Sequence, residues 1–433
     1  MFKIKDVTRT LLSIESNERS EFTIKVNGRA AETIKHTIYF PAKQDKCFTL
    51  HFFSDTLSDG DQIEVTSTAS ASHGETKNFR FFGKPGDLEM SALAITSLPD
   101  MAVDRISISG HTAEFQGWVL PSSPYVQSGF LANGRLCDAE FRKTTRPDLE
   151  RVFRHTGLAT CPLDYQAKVS FDDNSDFLDI RYTENGSEFE TVHATFPIKA
   201  HCHPLPGGER MGRVYGNSSE ASFLLTGATS FRKPESIITR HFSAGRGKQI
   251  RILDWGCGCA GVGRYFINSP NFEYHGVDID FDNIDYCQST FANKRATFSA
   301  CSLMPPMDYE DGSFDVIFGI SVVTHLSEAN HLTWLKELRR LIRPGGIVVL
   351  TVLGLQSIAK YMHLLESRAF VNCGFAFFTN SNAIGKIIGV EDYYGTTFHL
   401  PHYVFSKWSE YFSVEKYTAS GFSHQDVIVL RPA

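Results

Sequence analysis

ILDWGCGCAG, residues 252–261, takes the chain from an apolar strand through an acid into a glycine-rich turn. Gly256 and Gly258 lack a Cβ, so the backbone there can adopt positive φ and come within contact distance of a ligand. A second acid, Asp278, ends the run YHGVD at 274–278, which is typical of a short parallel strand. A carboxylate at that position can accept hydrogen bonds from both hydroxyls of a ribose. The pattern therefore predicts a loop that binds a nucleotide-like cofactor.

The glycines of this turn fit two classes of cofactor. Gly256, Gly258 and Gly261 have the G-x-G-x-x-G spacing of dinucleotide-binding loops, in which a helix N-terminus faces a pyrophosphate. Asp254 favours the other class, because a carboxylate two residues before the first glycine would repel a pyrophosphate and attract a positively charged amino-acid head. S-adenosylmethionine has such a head, together with a sulfonium and a ribose, and it has no phosphate.

With this motif the sequence resembles the class I S-adenosylmethionine-dependent methyltransferases, whose first motif is D-x-G-x-G and whose second-strand acid corresponds to Asp278. Residues 311–318 resemble the fourth strand of that family and its preceding turn, and IRPGG at 342–346 resembles the segment before the fifth strand. Residues 411–417 and 425–430 resemble the antiparallel strand pair that ends the fold. A dehydrogenase would have another parallel strand there, so this pair separates the two hypotheses.

The resemblance covers residues 208–433 and implies an α/β Rossmann-like domain that binds S-adenosyl-L-methionine. The family commonly has an acid after the third strand that binds the adenine amino group, whereas this chain has CSLMPP at 301–306. Backbone groups near Ser302 and Leu303 are therefore expected to hold the adenine. The cofactor-binding residues that the resemblance implies are Asp254, Gly256, Cys257, Gly258, Gly261, Asp278, Ile279, Ser302, Leu303 and Ser321.

Three histidines are candidate general bases for methyl transfer to a hydroxyl. An alcohol is neutral at pH 7, and a base that removes its proton contributes about 10² to 10⁴ in rate. His325 follows the fourth strand, where this fold places acceptor-side residues, and a hydrogen bond to the loop backbone is an equally good explanation of it. His399 and His402 lie in a late insertion, 389–403, that is rich in tyrosines, histidines and acids. For these two, packing of a surface loop is the competing explanation.

The front half of the chain has short alternating runs separated by turns, a pattern that predicts sheet packed on sheet. It predicts two all-β sandwich modules, at 1–86 and 103–198, with the segment 87–104 as a linker. The second module, with FQGWVL at 115–120 and RPDL at 146–149, resembles accessory β-domains of bacterial surface-glycan enzymes. The turn signals are Asn27-Gly28, Asn133-Gly134 and Asn185-Gly186.

The amino-acid composition limits which binding partners and which cellular compartment are expected for this protein. The 43 Lys and Arg against 49 Asp and Glu give a net charge of −6, which predicts no broad basic surface for a nucleic acid. No signal peptide and no integral membrane segment is expected, and nine cysteines without regular spacing fit a reducing, cytoplasmic compartment. Neither Cys257 and Cys259 nor the run 201–203, HCH, has an established ligand spacing, so no metal site is predicted.

These observations predict an S-adenosylmethionine-dependent methyltransferase that O-methylates a bacterial cell-surface glycan or its precursor, with a possible association with glycan-synthesis enzymes. The prediction that the acceptor is a glycan rests on the resemblance of the second module and on the negative net charge. Methylation of a small metabolite or of a protein side chain is an alternative. Another is a non-catalytic glycan-binding or scaffold protein, against which the intact set of Asp254, Gly256, Gly258 and Asp278 argues.

Overall fold

The architecture is known from a computed structural model of the chain. It describes residues 2–7, 11–16, 22–31, 33–40, 46–53, 62–67, 76–80, 100–121, 125–149, 162–172, 175–198, 203–216, 218–242, 249–292, 295–354, 357, 373–379, 393–422 and 424–432.

The first part of the chain forms two four-stranded antiparallel sheets. Their strand orders are β1-β2-β6-β5 and β4-β3-β7-β8. The hairpin predicted at Asn27-Gly28 joins β3 to β4, and both residues have positive φ. The strands are β1 Phe2–Val7, β2 Leu11–Ser16, β3 Phe22–Val26, β4 Arg29–Ala30, β5 Thr33–Phe40, β6 Lys46–Phe53, β7 Gln62–Ser67 and β8 Thr76–Arg80.

The next part forms two further antiparallel sheets, with orders β13-β14-β10-β9 and β12-β11-β15-β16. Alternating side chains of both sheets, among them Phe115, Phe130, Tyr165 and Ile180, pack into one buried cluster. The strands are β9 Asp100–Ser109, β10 Thr112–Leu120, β11 Ser128–Ala132, β12 Arg135–Leu136, β13 Asp138–Lys143, β14 Leu163–Ser170, β15 Phe177–Glu184 and β16 Ser187–Pro197.

The predicted linker at 87–104 is wrong at its C-terminal end. Strand β9 begins at Asp100 and pairs with β10 as far as Leu120, so residues 100–104 belong to a sheet. Residues 87–99 lie outside the described part of the chain. The alternation of polar and apolar residues did not indicate this part of the strand, because DMAV, residues 100–103, is short and alternates only weakly.

The C-terminal part is built on a seven-stranded sheet of order β19-β18-β17-β20-β21-β25-β24. Its strands are β17 Ile250–Trp255, β18 Phe272–Asp278, β19 Ala296–Ala300, β20 Phe314–Gly319, β21 Ile342–Val352, β24 Phe412–Phe422 and β25 Gln425–Pro432. A separate hairpin consists of β22 Phe375–Thr379 and β23 Gly395–His399. The helices are α1 Gly208–Tyr215, α2 Glu220–Phe242, α3 Gly263–Phe266, α4 Phe281–Phe291, α5 Glu328–Leu341 and α6 Pro401–Lys407.

Strand direction separates the two cofactor hypotheses. β17, β18, β19, β20 and β21 are parallel, whereas β25 runs antiparallel to β21 and β24 antiparallel to β25. The final antiparallel pair is the arrangement expected of the methyltransferase fold and not of a dehydrogenase. The C-terminal region therefore has the Rossmann-like methyltransferase fold. The sequence also predicts a helix near residues 356–366, of which the structure describes residue 357 alone.

Two buried clusters cover the faces of the seven-stranded sheet. One joins the sheet to α2, α3 and α4, and the other joins it to α5, α6 and the β22–β23 hairpin. The carboxyl ends of the parallel strands therefore meet at one rigid edge, where α/β folds bind their ligands. Within the described residues, no helix is long and apolar enough to cross a membrane.

Candidate active site

The turn after β17 brings the backbone close to two apolar side chains. The N–H groups of Gly256 and Cys257 both donate to the carbonyl of Val277, at 2.8 and 3.0 Å. Gly256 and Gly258 have φ of 79° and 52°. A Cβ on Gly256 would lie 2.5 Å from Val322, and one on Gly258 would lie 2.8 Å from Val214. Both positions therefore require glycine for conformation and for space.

Asp278 ends β18 and is held by two backbone groups. One carboxylate oxygen accepts from the N–H of Gly258 at 2.7 Å, and the other accepts from the N–H of Asp280 at 2.8 Å. Burial raises the pKa of Asp278, and these two hydrogen bonds oppose the increase. Asp280 in turn caps α4, because its side chain accepts from Asp282 and Asn283. The orientation of the Asp278 carboxylate is therefore fixed by the main chain.

A cavity of about 210 Å³ lies beside Asp278, the glycine turn and the loop after β20. Its charged lining consists of Asp278, Asp280 and Arg213. Arg213 is committed to acids, at 3.3 Å from Asp280 and 3.4 Å from Asp282. The cavity thus suits a cofactor that carries positive charge and a ribose, and it does not suit a pyrophosphate. Apolar walls come from Val214, Trp255, Ile320, Val322, Leu326 and Trp334.

His325 lines this cavity from the 3₁₀ turn Val323–His325 that follows β20. Its Nδ1 lies 2.8 Å from the carbonyl oxygen of Gly395. A carbonyl oxygen only accepts, so Nδ1 carries the proton and the lone pair of the neutral ring is on Nε2. Burial lowers the pKa of His325 below 6.5, which keeps the ring neutral at pH 7.

Strand β23 and the residue before it hold the His325 ring in place. Tyr394, which also lines the cavity, stacks on the imidazole with ring centroids 4.2 Å apart and an interplanar angle of 13°. The Thr397 hydroxyl donates to the carbonyl of Leu326 at 2.7 Å, and Leu326 forms a β-bridge with Tyr394. The hydrogen bond to Gly395 therefore holds the His325 ring within its plane, and the stacked Tyr394 ring restricts its movement perpendicular to that plane.

The cavity brings together about half of the residues predicted from sequence. Asp278 and the glycine turn lie beside the His325 loop, as the order of motifs along the chain had suggested. The predicted residues that line the cavity are Gly256, Gly258, Asp278, Ile279, Ser321 and His325.

Asp254 is absent from the described lining of the cavity, and its contact with a positive head group stays a prediction. Its carboxylate is 4% exposed and accepts a short hydrogen bond from the hydroxyl of Tyr274. Burial raises the pKa of Asp254 to about 7. Because β17 is fully buried at this point, the Asp254 side chain lies inside the domain and joins β17 to Tyr274 of the neighbouring strand β18.

Four other predicted cofactor contacts are also absent from the described lining of the cavity. The Cys257 thiol is buried against Gly276, and Gly261 packs so closely on the hydroxyl of Tyr215 that no side chain fits. Ser302 and Leu303 do not line the cavity, whereas the preceding Cys301 does. The Leu303 carbonyl already accepts from Tyr393 and from the Trp334 indole. Backbone recognition of adenine near Ser302 and Leu303 stays a prediction, with the Leu303 carbonyl already occupied by these two donors.

The two alternative bases are not at the cavity either. His399 is fully buried among Phe375, Tyr403 and Trp408, and burial lowers its pKa well below 6.5. His402, in the first turn of α6, packs near Gly374 and is not among the described residues lining the cavity. The insertion contributes Tyr393, Tyr394 and the Gly395 carbonyl instead, and nothing in the sequence distinguished these from packing residues.

Residues 252–346 match a family model described as a methyltransferase domain. The segment contains the glycine turn, Asp278 and His325. Together with the geometry, the match identifies this part of the chain as a methyltransferase domain whose cofactor is S-adenosylmethionine. Among the described residues, no group of three or more His, Cys, Asp or Glu is arranged to hold a metal ion.

Comparison with single proteins gives similarities over parts of the chain. The 2-methyl-6-phytyl-1,4-hydroquinone methyltransferase of Synechocystis sp. is 30% identical over 99 residues, which are 23% of this chain and 30% of that protein. A methyltransferase structure from Methanosarcina mazei is 16% identical with a TM-score of 0.35, covering 45% of this chain and 96% of its own. The magnesium protoporphyrin IX methyltransferase of Synechocystis is 16% identical with a TM-score of 0.33, covering 52% and 94%.

Proposed function

We propose that the protein transfers a methyl group from S-adenosylmethionine to a hydroxyl of its acceptor, with His325 as the general base. The observation that carries the proposal is the His325 ring at the cavity, whose Nδ1 proton is committed to Gly395 and whose Nε2 is the basic nitrogen. A base in this state can take a proton from an alcohol placed next to it. An acceptor with a more acidic group would not need such a residue.

When bound, S-adenosylmethionine supplies a methyl group on a positively charged sulfur. The Asp278 carboxylate, which accepts from the backbone N–H groups of Gly258 and Asp280, would also accept hydrogen bonds from the ribose hydroxyls. Apolar side chains such as Val322 and Leu326 exclude water from the space in front of His325. Tyr394 and Gly395 keep Nε2 in one place, so much of the acceleration comes from positioning.

We further propose that the acceptor is a bacterial surface glycan or its precursor. The support is the resemblance of residues 103–198 to accessory modules of surface-glycan enzymes and the net charge of −6, which disfavours nucleic acid. In this proposal the two front modules are β-sandwiches at 1–86 and 103–198, the second extended to residue 100 by the start of β9, and the methyltransferase domain spans 208–433. The modules position a long acceptor or associate with glycan-synthesis enzymes, and the domain performs the chemistry.

Calorimetric titration tests the cofactor part of the proposal. We expect Asp278→Ala to weaken S-adenosylmethionine binding at least about tenfold, since hydrogen bonds to a charged group contribute roughly 1.5 to 3 kcal/mol each. NADH serves as the matched ligand and should not saturate the protein. An unchanged dissociation constant in the folded variant would remove Asp278 from the site.

Mass spectrometry tests the acceptor. Surface glycans from cells with the intact gene, compared with those from cells lacking it, should differ by one methyl group on a hydroxyl. The matched comparison is a cell that carries His325→Gln, in which the methyl group should also be missing. Identical glycans in all three would reject the glycan as acceptor and leave the cofactor assignment standing.

A further inference from the structure

Ser321 has an unusual backbone conformation at the start of the loop that carries His325. Its φ is 59°, in the left-handed region that a residue with a Cβ seldom adopts. The loop leaves β20 at Gly319 and reaches His325 within six residues. A residue held in this region at a functional site persists only where its surroundings enforce it.

Two buried side chains from neighbouring strands enforce this conformation. The Ser321 N–H donates to the hydroxyl of Thr351, on β21, at 2.7 Å. The side-chain amide of Gln425, on β25, donates to the Ser321 hydroxyl oxygen at 2.9 Å. Gln425 is 7% exposed and Thr351 is 2% exposed, whereas Ser321 itself is partly exposed and lines the cavity. The Ser321 hydroxyl is also 3.2 Å from that of Thr324, the neighbour of His325.

Gln425 contacts the loop that carries His325, although it is distant from this loop in the sequence. Gln425 begins β25, a strand that starts a hundred residues after the loop, and it does not line the cavity among the described residues. Its Oε1 is buried and has no hydrogen-bond partner in the described part of the chain. A buried amide with one unsatisfied oxygen costs stability, so packing alone gives no reason for a glutamine here.

We infer that Gln425 is a positioning residue for the base, because its amide holds Ser321 in the left-handed conformation and thereby sets the place of His325. The inference rests on the proposed role of His325. The far end of the loop is fixed by Tyr394, Gly395 and Thr397, whereas Thr351 and Gln425 fix the near end. With the amide gone, Ser321 relaxes toward an ordinary backbone conformation and the near end of the loop moves.

The variant Gln425→Leu tests the inference, because leucine has similar bulk and no hydrogen-bonding group. The measurement is the nuclear magnetic resonance titration of the histidine rings in the full chain, with His325 assigned from the signal that His325→Gln removes. In the natural protein we expect a neutral ring protonated on Nδ1. In Gln425→Leu we expect the His325 resonances to move and its pKa to shift toward 6.5.

Val429→Ala is the matched control, since Val429 is a buried residue of the same strand and pairs with Val349 rather than with Thr351. It should lower the melting temperature and leave the His325 resonances unchanged. Unchanged His325 signals in Gln425→Leu would overturn the inference, as would an equal shift in Val429→Ala. Should Gln425→Leu not fold, Ser321→Ala removes the same bond from the other side and must shift the same signals. Failure of the natural protein to bind S-adenosylmethionine would reject the proposed function separately.

Discussion

His325 is the side chain on which turnover is expected to depend most. We expect His325→Gln to lower the rate of methyl transfer by about 10² or more and to leave the dissociation constant of S-adenosylmethionine nearly unchanged. The pKa of His325 lies below 6.5, so kcat/KM should be constant above that pH and fall as the ring becomes protonated below it. His402→Gln makes the same change away from the cavity and should retain activity. Equal losses in both variants would contradict a base at position 325.

Asp254 is expected to make stability depend on pH in the opposite sense to most carboxylates. Its pKa is about 7 in the folded chain against 3.8 ordinarily, so between these values the folded state binds the proton and the unfolded state has lost it. Stability from this group is therefore complete below about pH 4 and decreases as pH rises toward 7. Urea unfolding at pH 5 and pH 8 should show a larger decrease for the natural protein than for Asp254→Asn. Equal decreases would show that the Asp254 pKa is ordinary.

At the level of elements, β23 and the preceding Tyr394 orient His325, which lies in the loop after β20. Tyr394→Leu removes the stacked ring and keeps the Gly395 carbonyl, so the tautomer should survive while the ring gains freedom. We expect a loss of about tenfold in kcat with unchanged cofactor affinity, because small displacements of a base are costly. Phe378→Leu, an aromatic-to-leucine change on the paired strand β22, is the control and should be near neutral. A Tyr394→Leu enzyme with full kcat would leave Gly395 as the only required contact.

The sequence could predict the elements whose signal is local, and it could not predict the contacts between them. Parallel β17 and β18, the antiparallel pair β24 and β25, and the Asn-Gly hairpins each carry a pattern within a few residues, and all were predicted correctly. Asp254 and Cys257 are predicted at the cofactor and lie outside the described cavity lining, because a motif gives spacing but not the direction of a side chain. Tyr394 and Gln425 reach the site through pairings over dozens of residues, for which a single sequence has no signal.

At the scale of the molecule, the second front module is attached to the methyltransferase domain by side chains. Phe177 of β15 packs on Phe231 and Tyr265, with ring centroids 5.7 and 5.5 Å apart. Arg232 of α2 reaches Asp179 at 2.8 Å, and the Thr229 hydroxyl accepts from the N–H of Thr195 at 2.8 Å. Side-chain contacts therefore cross a domain boundary placed near His203.

A chain that starts at His203 is expected to bind S-adenosylmethionine normally and to be less stable. The glycine turn and Asp278 remain, whereas Phe231 and Tyr265 lose Phe177, a loss of roughly 1.5 to 3 kcal/mol of apolar burial. The melting temperature should fall by about 5 °C or more, measured by calorimetry beside titration of the cofactor. If exposure of Phe231 and Tyr265 also lowers the solubility of the truncated chain, the same truncation with Phe231→Ser should be more soluble. Loss of binding in a folded truncation would place the domain boundary before residue 203.

Cys301 lines the cavity that we propose for the methyl donor, and sulfur is a strong nucleophile in its ionised form. Burial raises the pKa of this thiol to about 12, and the negative charge of Asp278 adds to the increase. At neutral pH the thiol therefore keeps its proton. We expect that burial, with a smaller contribution from Asp278, prevents Cys301 from competing with the acceptor for the methyl group.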